Sequence, residues 1–261
     1  MRLRRSFKIV LLLVVAVLIY GMVGSGVFAA KRPAKQPCRK DLASCPDQGC
    51  GKDFDPNLNK LKNIGPTDKR AQGEPTRHTL GWMKNLDEPN EFEKGQDREE
   101  LAELGEGQKV AVLAYLIAIK PEGAESCNCG LKTPDATDNH LVLVSKTTVD
   151  KFPLDTEEDG EDAFHLRERE SITAEFTPRV RLQHPNFTRE KVQPLIKDAP
   201  KGALLVRITG MLLFDSEHFV RNPLKRVNNW EIHPILKFEF CDTGNNCKAD
   251  TNTGWASLDD H

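Results

Sequence analysis

Apolar and polar residues alternate most regularly in two stretches late in the chain, 203–215 and 230–240. Apolar residues take alternate positions there, namely Leu204, Val206, Ile208, Leu212 and Phe214, then Trp230, Ile232, Pro234, Leu236, Phe238 and Phe240. Because successive side chains of a strand point to opposite faces, this pattern predicts two long β-strands. The other face of the second strand carries Glu231, His233, Lys237 and Glu239. We expect any chemistry of this region on that polar face, at the surface.

Other stretches of the chain complete the predicted fold. Residues 109–120 are apolar on both faces, which predicts a central strand buried on both sides. Shorter strands are predicted at 140–144 and 170–180, and short helices at 56–63, 97–104 and 188–196. Gly210 lies in mid-strand and fits the bend that small barrels require. The order of elements predicts a mainly β fold with short helices, a small OB-like β-barrel preceded by a Cys-containing leader.

Composition divides the chain into four parts. Residues 1–30 form a signal peptide or membrane anchor, 31–105 a Cys-containing linker and leader, 106–242 the β-rich OB-like domain, and 243–261 a C-terminal tail. The domain contains an acidic insert at 146–166. Its start resembles an EF-hand loop, but Leu166 stands where a bidentate Glu is required. The insert is therefore predicted to be a solvated charged loop.

The N-terminal segment predicts export. A basic stretch, 1–8, precedes an apolar run at 9–20 and a small-residue stretch that ends at Ala30, which is the pattern of a secretory signal. Cleavage after Ala29 and retention as a membrane anchor through 9–30 both fit this segment. Either alternative predicts an extracytoplasmic location, which is secreted, periplasmic or membrane-anchored. Contact with a membrane is expected only through this segment.

The charge of the chain argues against a general nucleic-acid binder. The formal net charge is -2. Removal of the four basic residues Arg2, Arg4, Arg5 and Lys8 with the first segment takes the net charge to about -6. Proteins that bind phosphate backbones present a basic surface instead.

Seven cysteines in an exported chain predict disulfides and at least one thiol left over. Cys241 and Cys247 flank a turn-rich loop and are the candidate disulfide pair. The cluster at 37–51 holds three cysteines and is interpreted as a disulfide-pinned leader. A zinc site formed by this cluster with His78 is the alternative, although the spacing lacks the CxxC of common structural zinc sites.

Histidines and carboxylates recur near the ends of the predicted strands. The candidate metal ligands are His140, His218, Glu231 and His233, with Asp138 and Asp215 beside two of them. Zinc and similar ions prefer such ligands, and a bound ion there would activate water for hydrolysis. Asp is also common in turns, and His233 precedes Pro234, so a structural role for these residues stays open. No catalytic residue is assigned, because the sequence has no common nucleophile or nucleotide motif.

Several motifs resemble a group of uncharacterised bacterial exported proteins whose OB-like β domain ends in a WEIHP strand. The motifs are ATDNHLVLV, RITGMLLFDSEHF and NWEIHPILKFEF, with CPDQGCG and DPNLNKLKN in the leader. The resemblance covers 38–240 apart from the acidic insert. It implies no known activity.

Three functions are compatible with the sequence. The first is an exported or membrane-tethered binding or scaffold module for an unknown ligand or protein, since OB-like barrels commonly present ligand surfaces. The second is a metal-dependent hydrolase that uses His140, His218 and His233, with zinc as the possible ion. The third is a nucleic-acid binder of the OB type. It ranks last because the chain is acidic and its aromatic residues fall mostly on core faces.

Overall fold

The computed structural model describes residues 38–52, 54–153, 157–219 and 225–261. The predicted signal or anchor segment therefore lies outside the described residues. Seven strands form one sheet. They are β1 (Thr76–Thr79), β2 (Lys109–Pro121), β3 (Asn139–Val144), β4 (Ile172–Phe176), β5 (Leu204–Phe214), β6 (Trp230–Cys241) and β7 (Trp255–Ser257).

Five of these strands close into a barrel. β2, β3 and β4 form an antiparallel meander, and β4 pairs in parallel with β6. β6 pairs antiparallel with β5, which returns to β2 and closes the barrel. This closed five-stranded arrangement confirms the predicted OB-like barrel. β1 pairs with β2, and β7 pairs with β6, so these two strands extend the sheet beyond the barrel.

Short helices lie before β1 and in the connections between strands. They are α1 (Pro56–Lys62), α2 (Leu80–Lys84), α3 (Glu99–Glu103), α4 (Lys146–Lys151), α5 (Glu157–Arg169), α6 (Pro178–Arg181) and α7 (Arg189–Asp198). α1 begins where predicted, because the Asp55 carboxylate accepts hydrogen bonds from the N–H groups of Asn57 and Leu58. α7 follows its N-cap Thr188, also as predicted. Within the described part of the chain, no helix is long and apolar enough to cross a membrane.

The predicted apolar face of β5 and β6 forms the barrel interior. Trp230, Phe176, Phe214 and Phe238 are completely buried there. The indole N–H of Trp230 donates to the carbonyl oxygen of Asp87 at 2.9 Å, so its polar atom is also satisfied. Trp230, Phe214 and Phe238 are therefore core residues that the alternation selected, and Phe176 of β4 packs with them.

Gly210 allows β5 and β6 to approach closely. A Cβ at this position would lie 2.4 Å from both Ile232 Cγ2 and Pro234 O, so any side chain would force the two strands apart. The register between β5 and β6 shifts on both sides of Gly210, which is the irregularity predicted for it. Beyond the shift Ile235 pairs with Gly210 and is completely buried. The simple alternation in β6 is interrupted there.

The acidic insert is helical, so the prediction of a charged loop was wrong. α4 and most of α5 lie within 146–166. Arg167, near the end of α5, is completely buried. Its guanidinium donates to the carbonyl oxygens of Phe152, Val149 and Lys201 at 2.7, 3.2 and 3.1 Å. These bonds fix α5 to α4 and to the segment before β5, and such contacts between separate segments leave no local sequence pattern.

Two disulfides brace the domain. Cys241 and Cys247 are bonded, which confirms the predicted pair. Cys45 is bonded to Cys129 and pins the leader to the loop after β2. The zinc alternative with His78 is contradicted, because Cys45 is oxidised and the leader cluster does not offer three thiols to an ion.

Candidate functional site

The half of the polar face of β6 that carries Glu231 and His233 is buried, whereas Lys237 is exposed, and this burial corrects the expectation of a site at the surface. Glu231 and His233 are each 1% exposed. Helix α1 of the leader contacts β6. Arg226 covers the same face, and its guanidinium donates to Glu231 Oε2 at 3.1 Å. The alternation separated this face from the core correctly, but it could not show that the leader covers it.

Pairing among three strands explains how the polar side chains meet. His140 of β3 pairs with Glu175 of β4, and Thr173 of β4 pairs with Glu231 of β6. Paired residues share a face, and so do residues two apart on a strand, so Glu175 lies between His140 and His233. Glu175 Oε1 is 3.9 Å from His140 Nδ1, and Glu175 Oε2 is 3.1 Å from His233 Nδ1.

Three carboxylates surround the imidazole of His233. Glu175 Oε2 and Glu231 Oε1 lie 3.1 and 3.3 Å from Nδ1, and Asp138 Oδ2 lies 3.5 Å from Nε2. These atoms are in ion-pair contact, but neither ring nitrogen nor any of the three oxygens has a hydrogen-bond partner among the described residues. Buried polar atoms are normally hydrogen-bonded, so this convergence of atoms without hydrogen bonds is compatible with a ligand site.

The donor atoms are close enough to share one ion. Asp138, Glu175 and His233 each offer one ligand atom, and these atoms lie within 4.8 Å of one another. Catalytic zinc sites take three protein ligands of these types at about 2.0–2.2 Å and keep a fourth position open. An ion at these distances would require the three side chains to move closer together. We call this group the His233 triad.

A second series of ion pairs links His218 to the same face. His218 Nδ1 lies 2.7 Å from Asp215 Oδ2, and Arg226 Nη2 lies 2.6 Å from the same oxygen. Arg226 also contacts Glu231 Oε2 at 3.1 Å. Asp215 and Arg226 are therefore a buried bridge between the exposed His218 and the His233 triad.

The structure brings all four predicted metal ligands into one network, but in different positions. His233 and Glu231 lie at its buried centre. His140 lies on the far side of Glu175, where its Nδ1 is 2.9 Å from Glu122 Oε1. The His218 side chain is 70% exposed and stands at the edge. The three histidines therefore do not surround one ion, as a three-histidine site would require.

Sequence reasoning missed several members of the network. Glu175 is the single charged residue of β4, and its position among apolar residues was a usable signal. Lys62 and Glu125, which meet at 2.6 Å, lie in the leader and in the loop after β2. Arg226 precedes β6. No local pattern connects these segments, because only the fold brings them together.

A cleft of about 390 Å³ opens beside the triad. Its lining residues are Lys62, Lys120, Glu122, Glu125, His140, Glu168, Ser171, Glu175, Asp215, His218, Lys225 and Arg226. Nearly all of them are charged or titratable. The cleft therefore suits a small polar ligand, which would reach Glu175 of the triad directly.

Burial and neighbouring charges shift the titration of the triad. Burial alone would lower the pKa of His233, but the carboxylates of Glu175 and Glu231 outweigh it and raise that pKa well above 6.5. Burial opposes ionisation of Glu175, yet His233 holds the pKa of Glu175 well below its usual range. Burial, followed by the charge of Glu125, raises the pKa of Asp138. The triad thus keeps an imidazolium beside an ionised Glu175.

Comparisons with protein-family models, with curated proteins and with solved structures find no match to this chain. The fold assignment therefore rests on strand order and pairing. The functional argument rests on the side-chain geometry of the His233 triad and the cleft beside it.

Proposed function

We propose that this protein is an exported OB-barrel module that binds a divalent metal ion, with zinc as the first candidate, at the His233 triad. The observation that supports this most is the convergence of Asp138 Oδ2, Glu175 Oε2 and the His233 ring nitrogens, all buried and all without hydrogen bonds among the described residues. Two carboxylates and one imidazole match the donor types of zinc sites.

Electrostatics supports a cation rather than a purely structural ion pair. Three carboxylates, from Asp138, Glu175 and Glu231, meet one imidazole in a buried setting. Burial of charge is costly unless each charge is paired. The Arg226 guanidinium already pairs with Glu231, which leaves His233 facing Asp138 and Glu175. A divalent ion bound by neutral His233 would balance those two carboxylates more fully than a single imidazolium does.

Metal analysis of the exported protein, followed by a zinc titration, tests this proposal. Asp138→Asn and Glu175→Gln each remove a negative ligand with little change of shape, so both variants should lose the ion. Glu239→Gln is the matched control, because this residue of β6 pairs with Arg207 outside the triad at 2.7 Å. Zinc affinity that is equal in all four proteins would contradict the proposal.

Hydrolysis is the second candidate function, and the cleft with His218 at its edge favours it. A bound ion lowers the pKa of a coordinated water and so provides a nucleophile at neutral pH. The hydrogen bond and charge of Asp215 raise the pKa of His218 to about 9, so this imidazolium is suited to donate a proton to a leaving group. Zinc-dependent cleavage of alkyl ester probes, whose alkoxide leaving group takes up a proton, should be reduced about 10²-fold or more in His218→Gln.

The location outside the cytoplasm is part of the proposal. The apolar stretch at 9–20 motivates it, and the two disulfides support it, since disulfides persist in oxidising compartments. Replacing Leu12 and Val15 by Arg should leave the protein in the cytoplasm, as cell fractionation would show. Unchanged export of that variant would contradict the proposed location.

A further inference from the structure

We infer that the pocket has a second metal position, formed by Glu125, Cys127 and Asp138, and that Asp138 is shared between the two positions. The inference rests on the proposed function, because Asp138 also belongs to the His233 triad. The inference assigns a thiol ligand to the metal site and predicts that the site binds two ions.

The second group meets the same distance limit as the first. Glu125, Cys127 and Asp138 each offer one ligand atom, and these atoms lie within 4.8 Å of one another. Cys127 is 1% exposed, and its Sγ is 3.6 Å from Glu125 Oε2. One oxygen of Asp138 accepts from Asn128 at 2.7 Å, and the other has no hydrogen-bond partner in the described part of the chain. Asp138, with one buried oxygen that is not hydrogen-bonded, therefore belongs to both ligand groups.

The leader and a disulfide hold the thiol in place. Asn63 Nδ2 donates to the carbonyl oxygen of Cys127 at 2.9 Å, and Asn59 Nδ2 donates to Ser126 Oγ at 3.0 Å. The disulfide of Cys129 fixes the same loop two residues further along the chain. Supports of this kind preorganise metal ligands. These contacts hold the Cys127 thiol beside the carboxylates of Glu125 and Asp138.

The ammonium group of Lys62 indicates that the second position accepts a cation. Its Nζ lies 2.6 Å from Glu125 Oε1 and 3.7 Å from Glu217 Oε2, and its side chain is 3% exposed. A metal ion at Glu125 would compete with this ammonium group. Glu217 offers the displaced ammonium a second carboxylate, so Lys62 can give way without losing a partner.

The ligand types select the ion. A thiolate favours zinc and cobalt over calcium and magnesium, which take oxygen ligands. Binding forms a metal–sulfur bond, and the proton of the thiol passes to solvent. Two zinc ions that share one carboxylate form a recurrent hydrolytic arrangement, in which the ions lie about 3.5–4 Å apart.

Zinc stoichiometry and the spectrum of the cobalt-substituted protein test the inference. The exported protein should bind two zinc ions per chain and, with cobalt, show a near-ultraviolet thiolate-to-cobalt charge-transfer band. Cys127→Ser should bind one ion and lose the band, whereas Asp138→Asn should lose both ions. Cys50→Ser is the matched control, since Cys50 is a similarly buried thiol of the leader that forms no disulfide. This variant should bind zinc and cobalt as the unchanged protein does.

The outcomes separate the two proposals. The second position is overturned if the protein binds a single zinc ion, shows no thiolate band with cobalt, and loses that ion on Glu175→Gln. This result would still support the His233 triad. Failure to bind any ion overturns both. As an independent check, Lys62→Met should tighten the second zinc about tenfold or more. Equal affinity in this variant would contradict the competition between Lys62 and the ion.

Discussion

Replacement of His233 by Gln is the most informative single change for the buried network. The imidazole lies 3.1 and 3.3 Å from the carboxylates of Glu175 and Glu231, and 3.5 Å from that of Asp138. Each contact corresponds to an attraction of about 5 kcal/mol at an effective dielectric constant of about 20, before the cost of desolvation. Removing one partner of a buried ion pair typically costs about 3–5 kcal/mol, because the other charge stays buried. We expect His233→Gln to lower the free energy of unfolding by this amount at pH 7.

The pH dependence of this loss follows from the raised pKa of His233. A group whose pKa is higher in the folded state stabilises the protein fully below its unfolded value of 6.5, and the contribution is lost as pH rises through the folded value. The difference in stability between the unchanged protein and the variant should therefore decrease as the pH rises into the alkaline range. At acidic pH the gap should also narrow, because the buried carboxylates of the variant take up protons.

Urea denaturation of metal-free protein at several pH values measures both effects. His165→Gln is the matched control, since the same substitution at a side chain that is 56% exposed and lies outside the His233 triad should cost less than about 1 kcal/mol. A cost below about 1 kcal/mol for His233→Gln at pH 7 would refute the argument, because it would mean that the three carboxylates do not depend on the imidazole.

Three further predictions follow from other parts of the structure. Trp230→Ala should cost about 3–5 kcal/mol in a thermal or urea melt, because it empties a completely buried site; near-unchanged stability would contradict that packing. Replacing both Cys45 and Cys129 by Ser should lower the free energy of unfolding by about 4–5 kcal/mol, since the disulfide closes a loop with a sequence separation of 84. Equal stability of the unchanged protein with and without reductant would contradict this. The NMR pKa of His218 should be about 9 and should fall toward 6.5 in Asp215→Asn; a value near 6.5 in both proteins would exclude the ion pair.

Much of the fold could be predicted from the sequence, because the signals for it are local. The alternation in β5 and β6, the two-sided apolar run of β2 and the cap of α1 each depend on neighbouring residues. Gly210 was recognisable as a bend for the same reason. The acidic insert was misjudged because its helix depends on buried Arg167, whose partners are distant in the sequence.

The candidate site was only partly predictable. The sequence placed Glu231 and His233 on the same polar face of one strand, and that placement is correct. The sequence could not show that Lys62 of the leader lies over this face. It also could not show that Glu175 of β4 lies between His140 and His233. Those facts depend on strand pairing and on a disulfide between distant segments, so the expected surface site proved to be a buried one.

The metal site can be tested most directly by a crystal structure of the zinc-soaked protein, with diffraction data on both sides of the zinc absorption edge. We predict an anomalous peak about 2.0–2.2 Å from ligand atoms of Asp138, Glu175 and His233. The absence of a peak there, with His233 in direct hydrogen bonds to the carboxylates, would contradict the metal site and leave the network as a purely structural set of ion pairs.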